Sequence, residues 1–278
     1  MFGSVRNLWQ RLLRRTGQDR DVAYMRHLRG VIHVGANTGQ ERAHYRQYGL
    51  RVLWIEPVPE VFAQLQANLT GMTGQSALCA LIADQEGREV DFHVASNDGL
   101  SSSMLELGRH KELWPEVNYQ RTLQLRTTTL DATLRQGQLD PVESFNGLVM
   151  DTQGSELMVL KGATALLRHI DFVKTEAADF ESYVGCCQLA ELAAFLGEHG
   201  FAELRRHRFA NRPGLGAYYD VVYQRRSAAA PRPLRPWRSA ARRRCAALRA
   251  VARPTAAHAH APRPRPARRW SGAGPARA

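Results

Sequence analysis

Short apolar runs alternate with amphipathic helical segments along most of the middle of this chain. The pattern predicts strands at 31–35, 51–56, 76–83, 145–151, 171–177, 201–209 and 217–224, with helices at 41–49, 59–69, 156–169 and 189–200. Runs of this length and composition are typical of strands that are buried on both faces. Strands that alternate with helices form right-handed βαβ units, so we expect an α/β fold with a doubly wound, mostly parallel, Rossmann-like sheet.

The alternation breaks between the third and the fourth predicted strands. Residues 88–96 and 121–130 alternate apolar and polar side chains with a period of two, which is the pattern of a strand with one exposed face. We expect them to form a hairpin-like insert or a cover over the sheet. The segment 96–104 (SNDGLSSSM) is predicted to be a loop.

Charge is distributed unevenly along the 278 residues, whose formal net charge is +12. Residues 31–224 hold 24 acidic and 16 basic side chains, whereas residues 225–278 hold 15 arginines and no acid. Alanine, arginine and proline dominate this last segment, a composition that cannot build a packed core. We predict an amphipathic helical segment at 1–29, a globular domain at 30–224 and a disordered basic tail at 225–278.

Both basic ends allow a functional and a bland interpretation. The tail could bind nucleic acid or an anionic membrane surface, or it could be a solvated extension, which its composition favours. Residues 2–15 place apolar side chains on one helical face and arginines mostly opposite. Such a helix can lie on a membrane, but more often it packs on its own domain. A protein that binds nucleic acid through the tail is therefore one alternative function, but nucleic acid is not an obligatory partner.

Several other classes are disfavoured. No run of 18 apolar residues is present, so we predict no membrane-spanning helix. Arginines interrupt the N-terminal segment where a secretory signal would be apolar. The four cysteines lack CxxC spacing, and the histidines lack HxxxH or HxH spacing. We therefore expect no disulfide framework, no metal site and a cytoplasmic protein.

The strongest local motif lies at the first strand-to-helix turn, HVGANTG (33–39). Gly35 and Gly39 allow a sharp turn and a close approach of a ligand to the backbone. The loop lacks the GxGxxG of dinucleotide-binding proteins and the GK[ST] of P-loops. Glu56 ends the second strand 21 residues after Gly35, where a carboxylate can accept both hydroxyls of a ribose. The two features together predict an adenosine-bearing ligand without an obligatory phosphate.

The chain resembles the FkbM-type methyltransferases, a branch of the class I enzymes that depend on S-adenosylmethionine. The resemblance is carried by HVGANTGQE (33–41) and by the segments 52–69, 81–104, 130–134, 150–163 and 173–183, and it covers about residues 25–224. It implies a seven-stranded sheet whose last strand is antiparallel, with helices on both faces. It also implies S-adenosylmethionine as cofactor and methylation of a hydroxyl oxygen on a sugar, polysaccharide or secondary metabolite.

The resemblance further implies roles for individual residues. The cofactor is expected to be held by a set of residues at the strand tips: His33, Gly35, Ala36, Asn37, Gly39, Glu56, Asp84 and Asp151. Asp151 is the first candidate for the catalytic base or acceptor anchor, and Glu176 is the second. Gln153, Ser102 and Ser103 are expected to contact the acceptor, a small molecule or glycan.

Some of these residues also have structural interpretations. Asp151 could cap the helix that follows DTQGSE, and Glu176 could pair with Lys174 or an arginine. His33 stands where many class I enzymes have an acid, and its ring could be satisfied within the core. A methyltransferase-like scaffold without activity is therefore a further alternative, although the intact glycine loop and the strand-tip acids argue against it. The identity of the acceptor and the oligomeric state stay open.

Overall fold

The computed structural model describes residues 23–135 and 141–226. Five α-helices lie in these ranges: α1 (Arg42–Gln47), α2 (Pro59–Leu69), α3 (Leu130–Arg135), α4 (Glu156–Lys161) and α5 (Leu189–Glu198). The strands are β1 (Gly30–Val34), β2 (Arg51–Glu56), β3 (Gln75–Cys79), β4 (Leu81–Ile82), β5 (Glu89–Ala95), β6 (Tyr119–Thr128), β7 (Gly147–Met150), β8 (Phe172–Ala178), β9 (Phe201–Arg212) and β10 (Gly216–Arg225). Short 3-10 helices cover Ala23–His27, Arg109–Glu112, Val142–Ser144 and Leu166–His169.

Seven strands form the main sheet in the order β3-β2-β1-β7-β8-β10-β9. The first five are parallel, and β10 runs antiparallel to both of its neighbours. Side chains that alternate along β1 enter two different apolar clusters, Ile32 in one and Val31 in the other, so the sheet is covered on both faces. This topology confirms the predicted doubly wound α/β fold with an antiparallel last strand.

Two predicted elements are each divided in the structure. The apolar run 76–83 was expected to be one strand, but β3 belongs to the main sheet and β4 pairs with β6 in a second sheet. The expected helix 156–169 ends as an α-helix at Lys161 and resumes as a 3-10 turn at Leu166–His169. It breaks where Gly162 packs so closely on Ala83 that a β-carbon would overlap the Ala83 carbonyl oxygen. Tertiary packing, which a local pattern does not record, decides both breaks.

The predicted insert is a small second sheet with the order β4-β6-β5. β5 and β6 are antiparallel, with Phe92 opposite Leu123. The apolar side chains of this sheet, including Phe92 and Val94, are buried with Val58, which lies just after β2. The insert is thereby fixed beside the carboxyl end of β2, close to the glycine loop.

The folded domain includes Arg225, which the sequence placed at the start of the tail. Its guanidinium donates to the Ile170 carbonyl at 2.8 Å and lies 4.5 Å from the ring centroid of Phe201. The predicted helix at 2–15 and nearly all of the predicted tail lie outside the described residues, so the outer domain boundaries and the nucleic-acid alternative stay predictions. Across 23–135 and 141–226, every helix is too short or too polar to cross a membrane.

Candidate active site

The glycine loop, residues 35–39, turns sharply against the tip of β7. Gly35 has a φ of +80°, and a β-carbon there would overlap the carbonyl oxygen of Asp151. Gly39 has a φ of +74°, and a β-carbon there would lie 2.8 Å from a methyl carbon of Leu65. The amides of Gly35 and Ala36 both donate to the Ile55 carbonyl at 3.0 Å. Glycine is therefore required at both positions by backbone conformation and by space.

Glu56, at the end of β2, holds the glycine loop in place. Its buried carboxylate accepts the Asn37 amide on Oε2 at 2.8 Å and the Val58 amide on Oε1 at 3.0 Å. Burial raises the pKa of Glu56 to about 7, although these two hydrogen bonds oppose the shift. A carboxylate oxygen has two lone pairs, so each oxygen keeps one acceptor position. Glu56 can thus bind a ribose diol while it fixes the loop.

Asp84 lies just after β4, in a segment that is joined to the end of β2 by a 3.3 Å hydrogen bond from Ala80 N to Glu56 O. Its Oδ1 atom is buried, and no residue of the described chain donates a hydrogen bond to it. An unpartnered buried oxygen is costly unless a ligand supplies the donor. The exocyclic amine of an adenine is such a donor, so Asp84 fits the predicted cofactor.

The ring of His33 is enclosed in the core below the glycine loop. It stacks on Trp54 with 5.2 Å between ring centroids, and its Nδ1 lies 3.1 Å from the Tyr45 hydroxyl. Burial lowers the pKa of His33, so the ring is neutral at pH 7. This arrangement is the satisfied core histidine that the sequence left open as an alternative, and it gives the His33 side chain no position at the strand tips.

The β7 loop, residues 151–155, is held by a residue that sequence analysis missed. The buried carboxylate of Glu156 accepts the amides of Thr152 and Gly154 at 3.0 Å and the Thr152 hydroxyl at 3.2 Å. Gln153 adopts a φ of +51°, which is unusual for a residue with a side chain. The acid is part of the segment DTQGSE, but only the folded structure shows that its side chain turns back and accepts the backbone amides of the loop before it.

Asp151 does not cap the following helix, because the N-cap of α4 is Ser155. Its Oδ1 instead accepts the side-chain amide of Gln153 at 2.5 Å. Asp151 is exposed to solvent on one side, and protein atoms surround it on the other. The loss of hydration on the protein side raises the pKa of Asp151 to about 7, the Gln153 hydrogen bond opposes the shift, and nearby acids including Glu156 add to it. Asp151 can therefore gain or lose a proton near neutral pH.

Glu176 lies on β8, opposite Asp220 of β10. Burial, followed by the charges of Asp151 and Asp220, raises the pKa of Glu176 well above its usual value. Lys174 does not pair with Glu176 as one alternative expected; its ammonium lies 3.2 Å from Asp220 Oδ1. Within the described chain, no hydrogen-bond donor contacts the Glu176 carboxylate. That carboxylate is therefore available to a ligand.

The two serines predicted to contact the acceptor are used by the protein backbone. Ser103 is buried, and its hydroxyl donates to the Gln153 carbonyl at 2.7 Å. The Ser102 hydroxyl accepts a backbone amide of β5 at 3.0 Å. The loop that contains them, the serine loop (residues 96–104), also reaches the glycine loop, because the Asn37 side chain donates to the Asp98 carbonyl at 3.2 Å. The serine loop therefore joins the glycine loop to the β7 loop.

A narrow polar recess, the β8 recess, opens beside these groups. It is lined by Gln153, Glu176, Ser182, Tyr183 and Tyr218 among others. The Tyr183 hydroxyl donates to Gln153 Oε1 at 2.7 Å, which leaves the Gln153 amide nitrogen directed at Asp151. Sequence analysis did not single out Ser182, although it lies in the matching segment 173–183, and Tyr218 belongs to no local motif.

Asp151, Gln153 and Glu176 thus gather at the carboxyl edge of β7 and β8, next to the glycine loop on β1. Open α/β sheets bind ligands at this edge. No group of three or more His, Cys, Asp or Glu side chains within 23–135 and 141–226 is arranged to hold a metal ion. Absence of a metal from the reaction stays a prediction.

The Methyltransferase FkbM domain family matches residues 33–203, which is more than half of the chain. The chain therefore belongs to this family of methyltransferases, and the membership confirms S-adenosylmethionine as its cofactor. A curated relative, the 2-O-methyltransferase NoeI of Sinorhizobium fredii (strain NBRC 101917 / NGR234), is 27% identical over 163 residues. The match covers 56% of this chain and 65% of the relative, so the chain spans less than two thirds of that protein.

Two solved methyltransferase structures are similar at lower levels. One is the magnesium protoporphyrin IX methyltransferase ChlM from Synechocystis PCC 6803 with bound SAH, at 12% identity and a TM-score of 0.42, covering 78% of this chain and 92% of that chain. The other is the 1,6-didemethyltoxoflavin-N1-methyltransferase of Burkholderia thailandensis, at 13% identity and a TM-score of 0.41, covering 79% of this chain and 81% of that chain.

Proposed function

We propose that this chain is an O-methyltransferase that methylates a hydroxyl of a sugar, a polysaccharide or a secondary metabolite. The observation that carries the proposal is the position of Asp151, a carboxylate with a pKa of about 7 between the glycine loop and the β8 recess. A base with a pKa near the working pH is well suited to remove a proton from an alcohol.

Three groups at the strand tips form the proposed cofactor site. Glu56 binds the ribose, Asp84 accepts the adenine amine, and the glycine loop holds the methionine part. Bound there, S-adenosylmethionine supplies a methyl group that is already activated on a sulfonium. The free acceptor positions on Glu56 and the unpartnered oxygen of Asp84 support this assignment.

The protein then has two tasks, alignment and proton removal. The β8 recess orients the acceptor hydroxyl so that its oxygen lies in line with the methyl group, and such positioning supplies roughly 7–11 kcal/mol of a barrier. As the new oxygen–carbon bond forms and the sulfur–carbon bond breaks, Asp151 takes the hydroxyl proton, a contribution of about 10²–10⁴-fold. Glu176 is the second acid in the same cleft and anchors a neighbouring hydroxyl.

Oxygen as the methylated atom is supported by the relative's name, a 2-O-methyltransferase. The groups that line the recess add a chemical argument. Carboxylates and tyrosine hydroxyls bind hydroxyl groups well, because a hydroxyl both donates and accepts hydrogen bonds. These observations favour a hydroxylated acceptor over an apolar one.

The first experiment is calorimetric titration of the full chain with S-adenosylmethionine and S-adenosylhomocysteine. We expect micromolar binding that Glu56→Ala abolishes, since this change removes both the ribose ligand and the contact that fixes the glycine loop. Glu60→Ala is the matched control, because Glu60 is an exposed glutamate that pairs with Arg121 on the insert. Absence of binding by the unmodified chain, or equal binding by both variants, contradicts the cofactor site.

The second experiment measures transfer of labelled methyl to a panel of neutral methyl glycosides. We expect labelled product with at least one of them, and a much lower yield with Asp151→Ala under the same conditions. Cofactor binding without transfer to any hydroxyl compound would favour the inactive scaffold over the enzyme.

A further inference from the structure

A buried histidine of the insert contacts the wall of the β8 recess. His110 is 3% exposed, and its Nδ1 lies 2.7 Å from the hydroxyl of Tyr218. Its Nε2 lies 3.2 Å from the hydroxyl of Ser101, and its ring packs against Trp114 and Tyr183 with centroid separations of 4.6 and 5.1 Å. Burial lowers the pKa of His110 to about 4, so its ring is neutral at pH 7.

A neutral imidazole has one nitrogen that donates and one that accepts. If Nδ1 of His110 donates to Tyr218, the phenol proton is left for the recess. If Nδ1 accepts the phenol proton, a lone pair of the Tyr218 oxygen is left instead. In both cases His110 fixes the orientation of the phenol group. The Tyr218 hydroxyl also interacts with the Ser182 side chain, which leaves one of its three hydrogen-bonding positions for a ligand in the recess that Glu176 also lines.

The charged groups around this position are mostly acidic. Asp220 is paired with Lys174, and Glu156 is used by the backbone of the β7 loop. Asp151 and Glu176 are therefore the acids that face an acceptor, and Asp151, which is ionised when it acts as the base, repels anions such as phosphates and uronates. A neutral hydroxyl can donate to a carboxylate, and its neighbour can donate to Tyr218 or accept from it.

We propose that Tyr218 is a specificity-determining residue, whose hydroxyl, held by His110, binds a hydroxyl of a neutral polyhydroxylated acceptor next to the one that is methylated. This inference rests on the proposed function and deepens it. Asp151 takes the proton of the reacting hydroxyl, and Tyr218 recognises the neighbouring hydroxyl together with Glu176. The acceptor then needs at least two adjacent hydroxyl groups.

The test compares Tyr218→Phe with Tyr219→Phe in the full chain. Tyr219 is the next residue of β10, and its hydroxyl donates to Asp179 at 3.1 Å, so the control also loses one hydrogen bond. The probes are methyl glucoside, mannoside, fucoside and rhamnoside, their monodeoxy analogues and methyl glucuronide, with labelled S-adenosylmethionine as donor. Calorimetry with S-adenosylhomocysteine reports cofactor binding separately.

We expect Tyr218→Phe to raise the KM of the best neutral glycoside about 5- to 100-fold, the loss expected when a buried hydrogen bond is removed. Affinity for S-adenosylhomocysteine should stay within about twofold, as in Tyr219→Phe. One monodeoxy analogue should lose a similar factor on the unmodified protein and lose nothing further on Tyr218→Phe. A change confined to folding would not produce this coupling between one hydroxyl of the acceptor and one hydroxyl of the protein.

Two results overturn the inference while the proposed function stands. One is an equal KM for the best glycoside in both tyrosine variants. The other is a preference for the glucuronide over the neutral glycosides. Binding of S-adenosylhomocysteine without transfer to any of these sugars overturns the inference together with the proposed methylation of a sugar. If S-adenosylhomocysteine itself does not bind, the proposed function fails first and the inference fails with it.

Discussion

The glycine loop and the β7 loop follow adjacent parallel strands, and a buried glutamate fixes each of them by accepting backbone amides. Each loop also contains one non-glycine residue in the left-handed region, Asn37 with φ +44° and Gln153 with φ +51°. The difference lies in where the glutamate comes from. Glu156 belongs to the helix that continues its own loop, whereas Glu56 reaches the glycine loop from the neighbouring strand.

The two loops therefore differ in what stabilises them: the β7 loop uses a glutamate from its own segment, and the glycine loop uses a glutamate that has a second proposed role. The β7 loop is fixed within five residues, so its shape depends on its own segment and on the contacts of Ser103 and Tyr183 with Gln153. The glycine loop depends on Glu56, which is also the proposed ribose ligand. We therefore expect loop conformation and cofactor binding to be coupled on the β1 side, and the β7 side to keep its shape without a ligand.

The largest expected effect concerns the chemistry on the β7 side. Asp151→Asn should lower kcat by about 10²–10⁴-fold, because the proposed base is lost. In the unmodified protein kcat should rise as the pH passes about 7, where Asp151 ionises, and this rise should disappear in the variant. The measurement is kcat against pH with labelled methyl donor.

Asp91→Asn is a matched control, since Asp91 is exposed on β5 and contacts Gln124 of the same insert. Its pH profile should follow that of the unmodified protein. A full pH-dependent rise in Asp151→Asn would remove Asp151 from the role of base and leave Glu176 as the candidate.

The point where the two loops touch should be the next most sensitive. Gly35→Ala places a methyl group on the Asp151 carbonyl in a left-handed conformation, so we expect a loss of roughly 2–5 kcal/mol in unfolding free energy and of cofactor binding. Gly49→Ala is the control, because Gly49 has a φ of +64° but open space around it, and should lose only about 1–2 kcal/mol. Equal losses in denaturant unfolding would show that strain alone, without contact between the loops, explains the glycine.

Glutamine variants sharpen the comparison between the two glutamates. In Glu56→Gln an NH2 group replaces one of the two carboxylate oxygens and faces a backbone amide that is also a donor. We therefore expect a loss of about 1–3 kcal/mol in unfolding free energy and weaker binding of S-adenosylhomocysteine. In Glu156→Gln the carbonyl oxygen in the position of Oε1 can still accept the two Thr152 donors, but the NH2 group then faces the Gly154 amide. We expect a similar loss of about 1–3 kcal/mol but unchanged cofactor affinity, because the Glu156 side chain has no proposed contact with the cofactor. Weaker cofactor binding in Glu156→Gln would show that the β7 loop is not independent.

A further expected effect is the pH dependence of stability on the β7 side. Because the pKa of Asp151 is raised to about 7, the folded state holds more protons than the unfolded state between about pH 4 and 7, and unfolding free energy falls as pH rises through that window. Asp151→Asn removes this fall, so its melting temperature relative to the unmodified protein should be higher at pH 8 than at pH 5. A difference that is constant with pH would contradict the raised pKa.

The main sheet was predictable because each buried strand and each amphipathic helix carries its own period. The glycine loop and Glu56 were found because a sharp turn and a strand end are local features. The division of residues 76–83 between two sheets was missed, since an apolar run records burial and not the partner strand. Glu156 was missed as well, because an acid at the start of a helix has an ordinary explanation as a partner of the helix dipole.

The class of fold, the place of the cofactor loop and the acids at or near the carboxyl ends of β2, β4, β7 and β8 could be predicted from the sequence alone. These depend on interactions within about ten residues, or on the rule that parallel strands meet at one edge. The folded structure was needed to establish that His33 is buried, that Lys174 pairs with Asp220, and that Tyr218 and Glu176 line the same recess. Those contacts join residues distant in the chain, and packing free energy selects among partners that no local pattern distinguishes.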